Sequence, residues 1–311
     1  MKYPTSTQSA AVLFLAAALI STPRHATAQG DDFDDGNSDG WSELAVLTQF
    51  GVAASFSFPD GNKYRMQSAP SVDEGNLGQA RIGALREDVS YNDFYISVDV
   101  VDYDTSLDQN IGILARVKEP GLGTLDGYGM TYNPVDQRIF FTVIANEAGP
   151  SPFNAVVPLA VGEPVRLVFQ GKGSDLKLEV FTLDDLENAV ALIEVSDGTY
   201  TTGTCGIFAV SDPASPAIGV DCTFDNYFAA TEDPEEFRVL SVQLVDGQVV
   251  FEFLSKPSRG YSFWFSDDLA TWRESNDGIK GAIAATTVYI HTPSEAEPAG
   301  LHQFYQFRRN N

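Results

Sequence analysis

A run of acidic and amide side chains near the N-terminus has the residue types and spacing of a metal site. The run covers residues 31–41 (DDFDDGNSDGW), and Asp35, Asn37 and Asp39 within it form a D-x-N-x-D-G pattern. Alternating oxygen donors converge on Ca²⁺ when a glycine permits the sharp turn. An EF-hand would require Glu where Val46 stands, so the pattern predicts a calcium site of another kind. The alternative is an acidic surface turn.

The positions of the histidines exclude two kinds of chemistry from the main part of the chain. The three histidines are His25, His291 and His302, so none lies between residues 29 and 230. A Ser-His-Asp or Cys-His arrangement and a His-ligated zinc site are therefore excluded from that segment. His291 follows a strand-like segment and is predicted to be structural.

The first 28 residues have the features of a secretory signal peptide. Lys2 supplies the basic region, residues 10–20 (AAVLFLAAALI) form an apolar stretch, and residues 26–28 (ATA) form a cleavage site. The alternative, a membrane anchor, is disfavoured because the apolar stretch is too short to span a bilayer. We therefore expect a secreted protein that begins at Gln29 and does not insert into a membrane.

The charge of the chain excludes two classes of partner. It has 19 basic and 43 acidic residues, a net charge of −24 at pH 7. Such a chain repels nucleic-acid phosphates and anionic lipid surfaces. The charge is compatible with simple solubility and with cation binding.

The elements that must position these residues are β-strands. Residues 29–230 alternate short β-like segments, such as Arg138–Ile144, with turns rich in Gly, Pro, Asp and Asn, which is typical of a β-sandwich or a β-barrel. Only Leu183–Ala191 has a helical pattern. Residues 231–236 are predicted to be a linker. Residues 237–311 are predicted to form a small second β domain, with a hairpin turn at Asp246-Gly247.

The two cysteines, Cys205 and Cys222, predict a disulfide. They flank a loop centred near Pro213, and a bond is the default for an exported chain. In the chain-entropy model it would contribute roughly 3 kcal/mol. Free buried thiols are the alternative.

An ordered set of phrases in residues 29–230 resembles the concanavalin A-like lectin/glucanase superfamily, in the laminin-G-like form of secreted bacterial proteins. After the acidic run, the phrases are GILARV (112–117), GYGMTY (127–132), RLVFQGKGSDLKLEVF (166–181), TYTTGTCGIFAV (199–210) and FDNYFA (224–229). The resemblance implies an all-β, two-sheet antiparallel jelly roll whose concave face binds glycans. It also implies that the first and last strands pair, which makes Asp225 the candidate fourth calcium ligand. Residues 237–311 resemble a small β-sandwich accessory module.

Sugar binding needs aromatic platforms and planar polar groups. The candidates on the middle strands and their loops are Asp102, Tyr103, Arg116, Tyr128, Tyr132 and Arg138. Alternation in residues 111–117 puts Arg116 on the less apolar face, which we expect to be the concave face. The alternative for each aromatic residue is ordinary core packing, and for Arg116 a surface or ion-paired position.

The glucanases of this superfamily use two carboxylates, in Glu-x-Asp-x-Glu or Glu-x-Asp-x-x-Glu motifs that this sequence lacks. The sequence therefore predicts a secreted, non-enzymatic, calcium-stabilised protein that binds a polysaccharide or glycoprotein. Two alternatives stay open. One is a glycoside hydrolase with another carboxylate pair, and the other is a structural or adhesion protein that binds no sugar.

Overall fold

A computed structural model describes residues 28–215, 217–231, 239–245, 248–255, 260–266, 271–281, 286–292 and 304–309. The predicted signal peptide lies outside these ranges except for Ala28, and the predicted linker lies outside them except for residue 231. Within them the strands form antiparallel sheets, which confirms the all-β class. In this part of the chain no helix has the length and apolar character needed to cross a membrane.

The strands of the first domain alternate with short turns. In chain order they are β1 (Ala28–Asp31), β2 (Ser42–Leu44), β3 (Ala54–Ser57), β4 (Tyr64–Ser68), β5 (Arg81–Tyr91), β6 (Phe94–Tyr103), β7 (Gln109–Lys118), β8 (Asp126–Asn133), β9 (Arg138–Ile144), β10 (Phe153–Val156), β11 (Val165–Lys172), β12 (Asp175–Thr182), β13 (Ala191–Ser196), β14 (Gly203–Ser211) and β15 (Val220–Ala230). The short helix α1 (Glu74–Leu77) and 3₁₀ turns at Thr48–Phe50 and Pro59–Gly61 lie between strands.

These strands form the two-sheet sandwich that the resemblance implies. An eight-stranded sheet has the order β13-β12-β11-β6-β15-β4-β3, with β1 also paired to β15, and a seven-stranded sheet has the order β10-β9-β8-β7-β14-β5-β2. The pairing of β1 with β15 joins the two ends of the domain, as expected, with Asp31 opposite Tyr227.

Residue alternation explains why the strands form and which face each sheet buries. On β12, Leu176, Leu178 and Val180 are buried while their neighbours are exposed or half-buried. This period of two puts one apolar face against the opposite sheet. The inner faces of both sheets share one core, in which Ile113 of β7 and Leu167 of β11 are fully buried.

The helical pattern of Leu183–Ala191 does not produce a helix. The segment is a turn between β12 and β13. The Asp185 carboxylate accepts the backbone N–H groups of Glu187 and Asn188 at 3.0 and 3.1 Å. An Asp that pairs with the backbone just after it favours a turn over a helix.

The predicted disulfide is wrong. Cys205 lies on β14 in the seven-stranded sheet, Cys222 lies on β15 in the eight-stranded sheet, and both are free and buried. The chain crosses between the sheets after β14, so the intervening loop does not close a hairpin. Burial raises the pKa of Cys205 to about 12, and a thiol of this kind stays protonated and unreactive.

The C-terminal strands form a second, smaller β unit. They are β16 (Val239–Val245), β17 (Gln248–Leu254), β18 (Gly260–Ser266), β19 (Arg273–Lys280), β20 (Thr286–His291) and β21 (Phe304–Arg309). Two three-stranded sheets, β16-β17-β20 and β19-β18-β21, enclose a core that includes Phe251, Phe253 and Phe263. Val245 pairs with Gln248, while the predicted turn residues Asp246 and Gly247 lie outside the described ranges. His291 is buried against Phe263, with ring centroids 4.8 Å apart.

Candidate ligand-binding groove

The outer face of the seven-stranded sheet forms the floor of a cavity of about 900 Å³, which we call the groove. The pairing register places its floor residues in rows that run across the strands. One row contains Gly83, Phe208, Gly112, Thr131 and Phe140. The next row contains Leu85, Gly206, Leu114, Gly129 and Thr142. Glycines thus alternate with larger side chains, and an added Cβ atom at Gly112 would overlap Met130 O, so the neighbouring backbone requires a glycine there.

Phe208 is the central aromatic group of the floor. A Cβ atom added at Gly129 would lie 3.3 Å from Phe208 Cζ and 3.3 Å from Ile144 Cδ1, so the ring extends over the glycine of a neighbouring row. Phe208 and Phe140 are only partly buried, although they belong to a well-packed sheet. The floor therefore offers aromatic surface to a ligand.

Loops at both ends of the sheet form the walls. They come from residues 76–79, 121–125, 146–149 and 212–214. Arg81 at the start of β5 pairs with Glu147, in the loop after β9, at 2.8 Å. Three strands lie between β5 and β9 in the sheet, a separation of ~19 Å on a flat sheet. The segments that carry the two side chains must therefore approach each other above the floor.

Amides and carboxylates line the end of the groove near the start of β5. Asn110 Nδ2 donates to Asp212 Oδ2 at 3.1 Å, and Asn133 Nδ2 donates to Asp108 Oδ1 at 2.9 Å. Burial, followed by repulsion from Asp212 and Asp108, raises the pKa of Asp136 above its usual value. Of these groups, Asn110, Asp136 and Asp212 line the groove beside its apolar floor, whereas Asn133 is fully buried behind them.

Arg116 lies inside the protein and not on the groove surface, contrary to the prediction. Its guanidinium donates to the carbonyl oxygens of Asn92, Tyr200 and Gly173 at distances between 2.6 and 2.9 Å, and it is 1% exposed. The alternation holds through Leu114, but the β7–β8 register shifts after Ala115 and Arg116 has a φ of 50°. This bulge turns Arg116 inward.

The predicted tyrosines are also core residues. Tyr128 and Tyr132 are fully buried and Tyr103 is 7% exposed. The Tyr128 hydroxyl donates to Asp197 Oδ1 at 2.7 Å and accepts the N–H of Tyr200 at 2.9 Å. A ring without exposed surface provides no platform for a sugar, so the packing alternative describes these three positions.

The last two predicted ligand-binding residues lie on different sheets. Asp102 is exposed on β6 of the eight-stranded sheet, where it accepts the N–H of Tyr103 at 3.0 Å. Arg138 lies on β9 and donates to Asn154 Oδ1 at 2.5 Å; it is the one member of the predicted set beside the groove. The structure therefore does not bring the six residues together on one surface.

Sequence reasoning missed Phe208, although the signal was present. In residues 203–210, Cys205, Ile207 and Ala209 form the apolar inner set, so Phe208 falls on the other face with Gly206. The same alternation in GYGMTY puts Gly129 outside and both tyrosines inside. A large aromatic residue among glycines on the outer face was the more informative pattern.

The acidic run near the N-terminus forms a turn whose side chains bind their own backbone. Asp35 Oδ1 accepts the N–H of Asn37 at 3.2 Å, and Asn37 Oδ1 accepts the N–H of Asp39 at 2.8 Å. Phe33 is fully buried against Tyr64, with ring centroids 5.0 Å apart. These contacts are those of a surface turn anchored by an aromatic side chain.

The predicted calcium ligands do not form a metal shell in this arrangement. After burial, which contributes most, the acidic neighbours that raise the pKa of Asp225, to about 6, are Asp99 and Asp34, and neither belongs to the predicted set. Among the described residues, no group of three or more His, Cys, Asp or Glu side chains is placed to hold a metal ion.

Several solved structures are similar to this chain. The carbohydrate-binding module CBM66 from Bacillus subtilis has 16% identity and a TM-score of 0.45, over 62% of this chain and 97% of that chain. A β-1,3-1,4-glucanase (lichenase) derived from a mouse hindgut metagenome has 12% identity and a TM-score of 0.47, over 66% and 98%. The lectin UEA-II complexed with galactose has 13% identity and a TM-score of 0.43, over 65% and 97%.

These structures have the concanavalin A-like jelly-roll fold that the sequence resembles. Their TM-scores lie below 0.5 and their sequence identities below 20%. No protein-family model matches the chain, and no curated protein sequence is significantly similar to it.

Proposed function

We propose that this chain is a secreted carbohydrate-binding protein that holds a glycan in the groove without cleaving it. The observation that carries the proposal is the partly buried ring of Phe208, which lies over Gly129 and lines a cavity of about 900 Å³. A cavity of this size is within the range of ordinary ligand sites. Secretion is supported by the signal-peptide pattern of residues 1–28.

The groove has the two kinds of surface that a sugar ring requires. The C–H face of a pyranose packs on aromatic side chains, here the partly buried rings of Phe208 and Phe140. Its hydroxyl groups exchange hydrogen bonds with planar polar groups, here Asn110 and Asp212 at one end. Glycan binding therefore uses both parts of the groove.

A glycan array with the purified protein tests the proposal. The array is run with wild type, with Phe208→Ala, and with Phe50→Ala as a matched control, because Phe50 is 45% exposed and lies outside the groove. We expect wild type and Phe50→Ala to bind the same glycans and Phe208→Ala to lose at least ~10-fold in affinity, about 1.4 kcal/mol. Wild type that binds no glycan, or Phe208→Ala that binds like wild type, would reject the groove as a glycan site.

Hydrolysis is the second candidate, favoured by the two carboxylates Asp136 and Asp212 in the groove. A general acid benefits from a raised pKa, and burial raises that of Asp136. Product release from the bound polysaccharide, lost in Asp136→Asn, would establish an enzyme. Binding without product release supports the non-enzymatic proposal, and the absence of any binding favours a structural or adhesion protein.

We propose separately that calcium stabilises the protein. This proposal is based on the sequence pattern of Asp35, Asn37 and Asp39. Its support is the D-x-N-x-D-G spacing alone, since the side chains do not form a shell. The direct test is thermal melting in roughly millimolar calcium, the concentration range in which extracellular modules bind the ion, and in chelator. A melting temperature that is the same under both conditions would remove calcium from the account.

A further inference from the structure

The charged side chains that line the groove are predominantly acidic. Among the described residues, the lining includes Asp136, Asp212 and Glu147 as acids and Arg81 as the single base. Carboxylate and sulfate groups on a ligand are recognised mainly by arginine and lysine. Whether the groove accepts an acidic sugar therefore depends on whether Arg81 is available to it.

Arg81 is fully engaged by the protein. Its Nε and Nη2 atoms donate to the two carboxylate oxygens of Glu147 at 2.8 and 2.9 Å. Its Nη1 atom donates to the carbonyl oxygens of Leu77 and Gln79 at 2.8 and 2.9 Å. Each nitrogen of the guanidinium thus has an acceptor, and the paired carboxylate cancels its charge.

Glu147 is held in place for this contact. Its backbone N–H donates to Leu125 O at 2.8 Å, and its Oε2 atom accepts the N–H of Gly123. Asn146 and Glu147 both have positive φ values, 52° and 62°. Residues other than glycine rarely adopt a positive φ because it strains the backbone. This strain persists only where surrounding contacts enforce the conformation. These contacts and this backbone conformation therefore hold the Glu147 carboxylate against Arg81.

The end of the groove near the start of β5, where Arg81 also lies, carries further negative charge. Asp212 and Asp136 lie there, and Asp108 and Asp212 both repel the charge on Asp136. Arg138 is the nearby cation that acts on Asp136, and it is hydrogen-bonded to Asn154. An anionic ligand would meet these like charges, while Arg81 and Arg138 already have acceptors within the protein.

We infer that the groove selects glycans without carboxylate or sulfate groups, and that Glu147 is the specificity-determining residue because it occupies Arg81. The inference rests on the proposed function, since it names the class of glycan that the same site takes. Like charges brought together in a partly buried site disfavour binding strongly. Removing the Glu147 charge frees a planar, bidentate donor for an acidic sugar.

The test compares one glycan in three chemical states. Neutral gluco-, manno- and galacto-oligosaccharides are printed unmodified, with their C6 hydroxymethyl groups oxidised to carboxylates, and as the methyl esters of those carboxylates. The ester retains the added size but lacks the charge. Wild type is expected to bind an unmodified oligosaccharide and its ester at least ~10-fold more tightly than the carboxylate.

Two variants assign the selectivity to Glu147. Glu147→Gln, which keeps an acceptor for the Gly123 N–H, is expected to bind the carboxylate form at least ~10-fold more tightly than wild type does. The double variant Arg81→Gln/Glu147→Gln removes the pair without creating a free cation and is expected to reject the carboxylate form as wild type does. Melting temperatures of each variant verify that it folds.

The outcomes separate this inference from the proposed function. If wild type binds no form of any oligosaccharide, the proposed function fails and the inference fails with it. If wild type binds carboxylate and ester forms equally, or prefers the carboxylate, the proposed function stands and the inference is overturned. If folded Glu147→Gln discriminates as wild type does, Glu147 is not the specificity-determining residue.

Discussion

The two faces of the seven-stranded sheet carry similar residue types and use them in opposite ways. On the inner face, the polar atoms of Arg116 and Tyr128 are hydrogen-bonded to backbone and side-chain groups within the protein. On the outer face, Phe208 is only partly buried and lines the groove. An aromatic or charged residue is therefore informative about ligand binding only when the fold leaves its ring exposed or its charged group without a partner inside the protein.

The largest effect is expected on the inner face, at Arg116. Arg116→Met removes the charged donor from three carbonyl groups, and hydrogen bonds to charged groups are strong. We expect the free energy of unfolding to fall by about 4 kcal/mol, measured by chemical denaturation, with unchanged glycan affinity in the folded fraction. A loss below about 1 kcal/mol would contradict the structural role of this arginine.

A smaller loss is expected at Tyr128, also on the inner face. Tyr128→Phe removes the hydroxyl that donates to Asp197 and accepts the N–H of Tyr200. Leaving these groups unpaired should reduce the free energy of unfolding by about 2 kcal/mol. The affinity of Tyr128→Phe for the array ligand, measured by calorimetric titration, should equal that of wild type. If affinity falls while stability is retained, Tyr128 contacts the ligand and the distinction between the two faces fails.

Adjacent positions on β8 sharpen the comparison, because they point to opposite faces. Gly129→Ala places a Cβ atom 3.3 Å from Phe208 Cζ, so the ring must shift. We expect a several-fold loss of glycan affinity and a stability loss of about 1 kcal/mol. Met130→Leu, a volume-conserving change in the core, is the matched control and should retain the affinity. Equal affinities for both variants would show that Phe208 does not define the floor.

The smallest effect is expected at Asp225 on β15 of the eight-stranded sheet, where a half-buried carboxylate has acidic neighbours. Burial, and then Asp99 and Asp34, raise its pKa to about 6 in the folded protein from 3.8. The folded state thus holds this proton more tightly, and the stabilisation present below about pH 4 is lost as the pH rises through 6.

Asp225→Asn removes this dependence. In chelator, the melting temperature of the variant relative to wild type should rise between pH 4 and 6 and remain higher above pH 6. A difference that does not change with pH, or a wild type that is the more stable protein at pH 7, would contradict the repulsive environment of Asp225.

Much of the fold was readable from the sequence because strand alternation reports which face is buried. Arg138–Ile144 was predicted and observed with the same bounds, and Ile111 and Ile113 face the core as expected. The helical pattern at Leu183–Ala191 failed because the Asp185 carboxylate stabilises a turn locally. Alternation describes long strands well and short polar segments poorly.

The candidate site was less readable, because it depends on features that a single sequence does not display. Arg116 follows the alternation until a β-bulge turns it inward. Cys205 and Cys222 are close in sequence but lie on opposing sheets. Arg81 and Glu147 are separated by 65 intervening residues, yet their side chains pair although three strands lie between β5 and β9 in the sheet. Each outcome depends on a strand register or on a sheet pairing that a single sequence does not display.

The central claim is that a glycan occupies the outer face of the seven-stranded sheet. Methyl NMR spectra recorded during titration with the array ligand test it directly, because both faces carry methyl groups. The account predicts shifts at Leu114, Ile144 and Val210, which line the groove, and none at Ile111 and Ile113 of the inner face. Shifts confined to the inner face, the eight-stranded sheet or the C-terminal sheets, with the groove methyls unchanged, would contradict it.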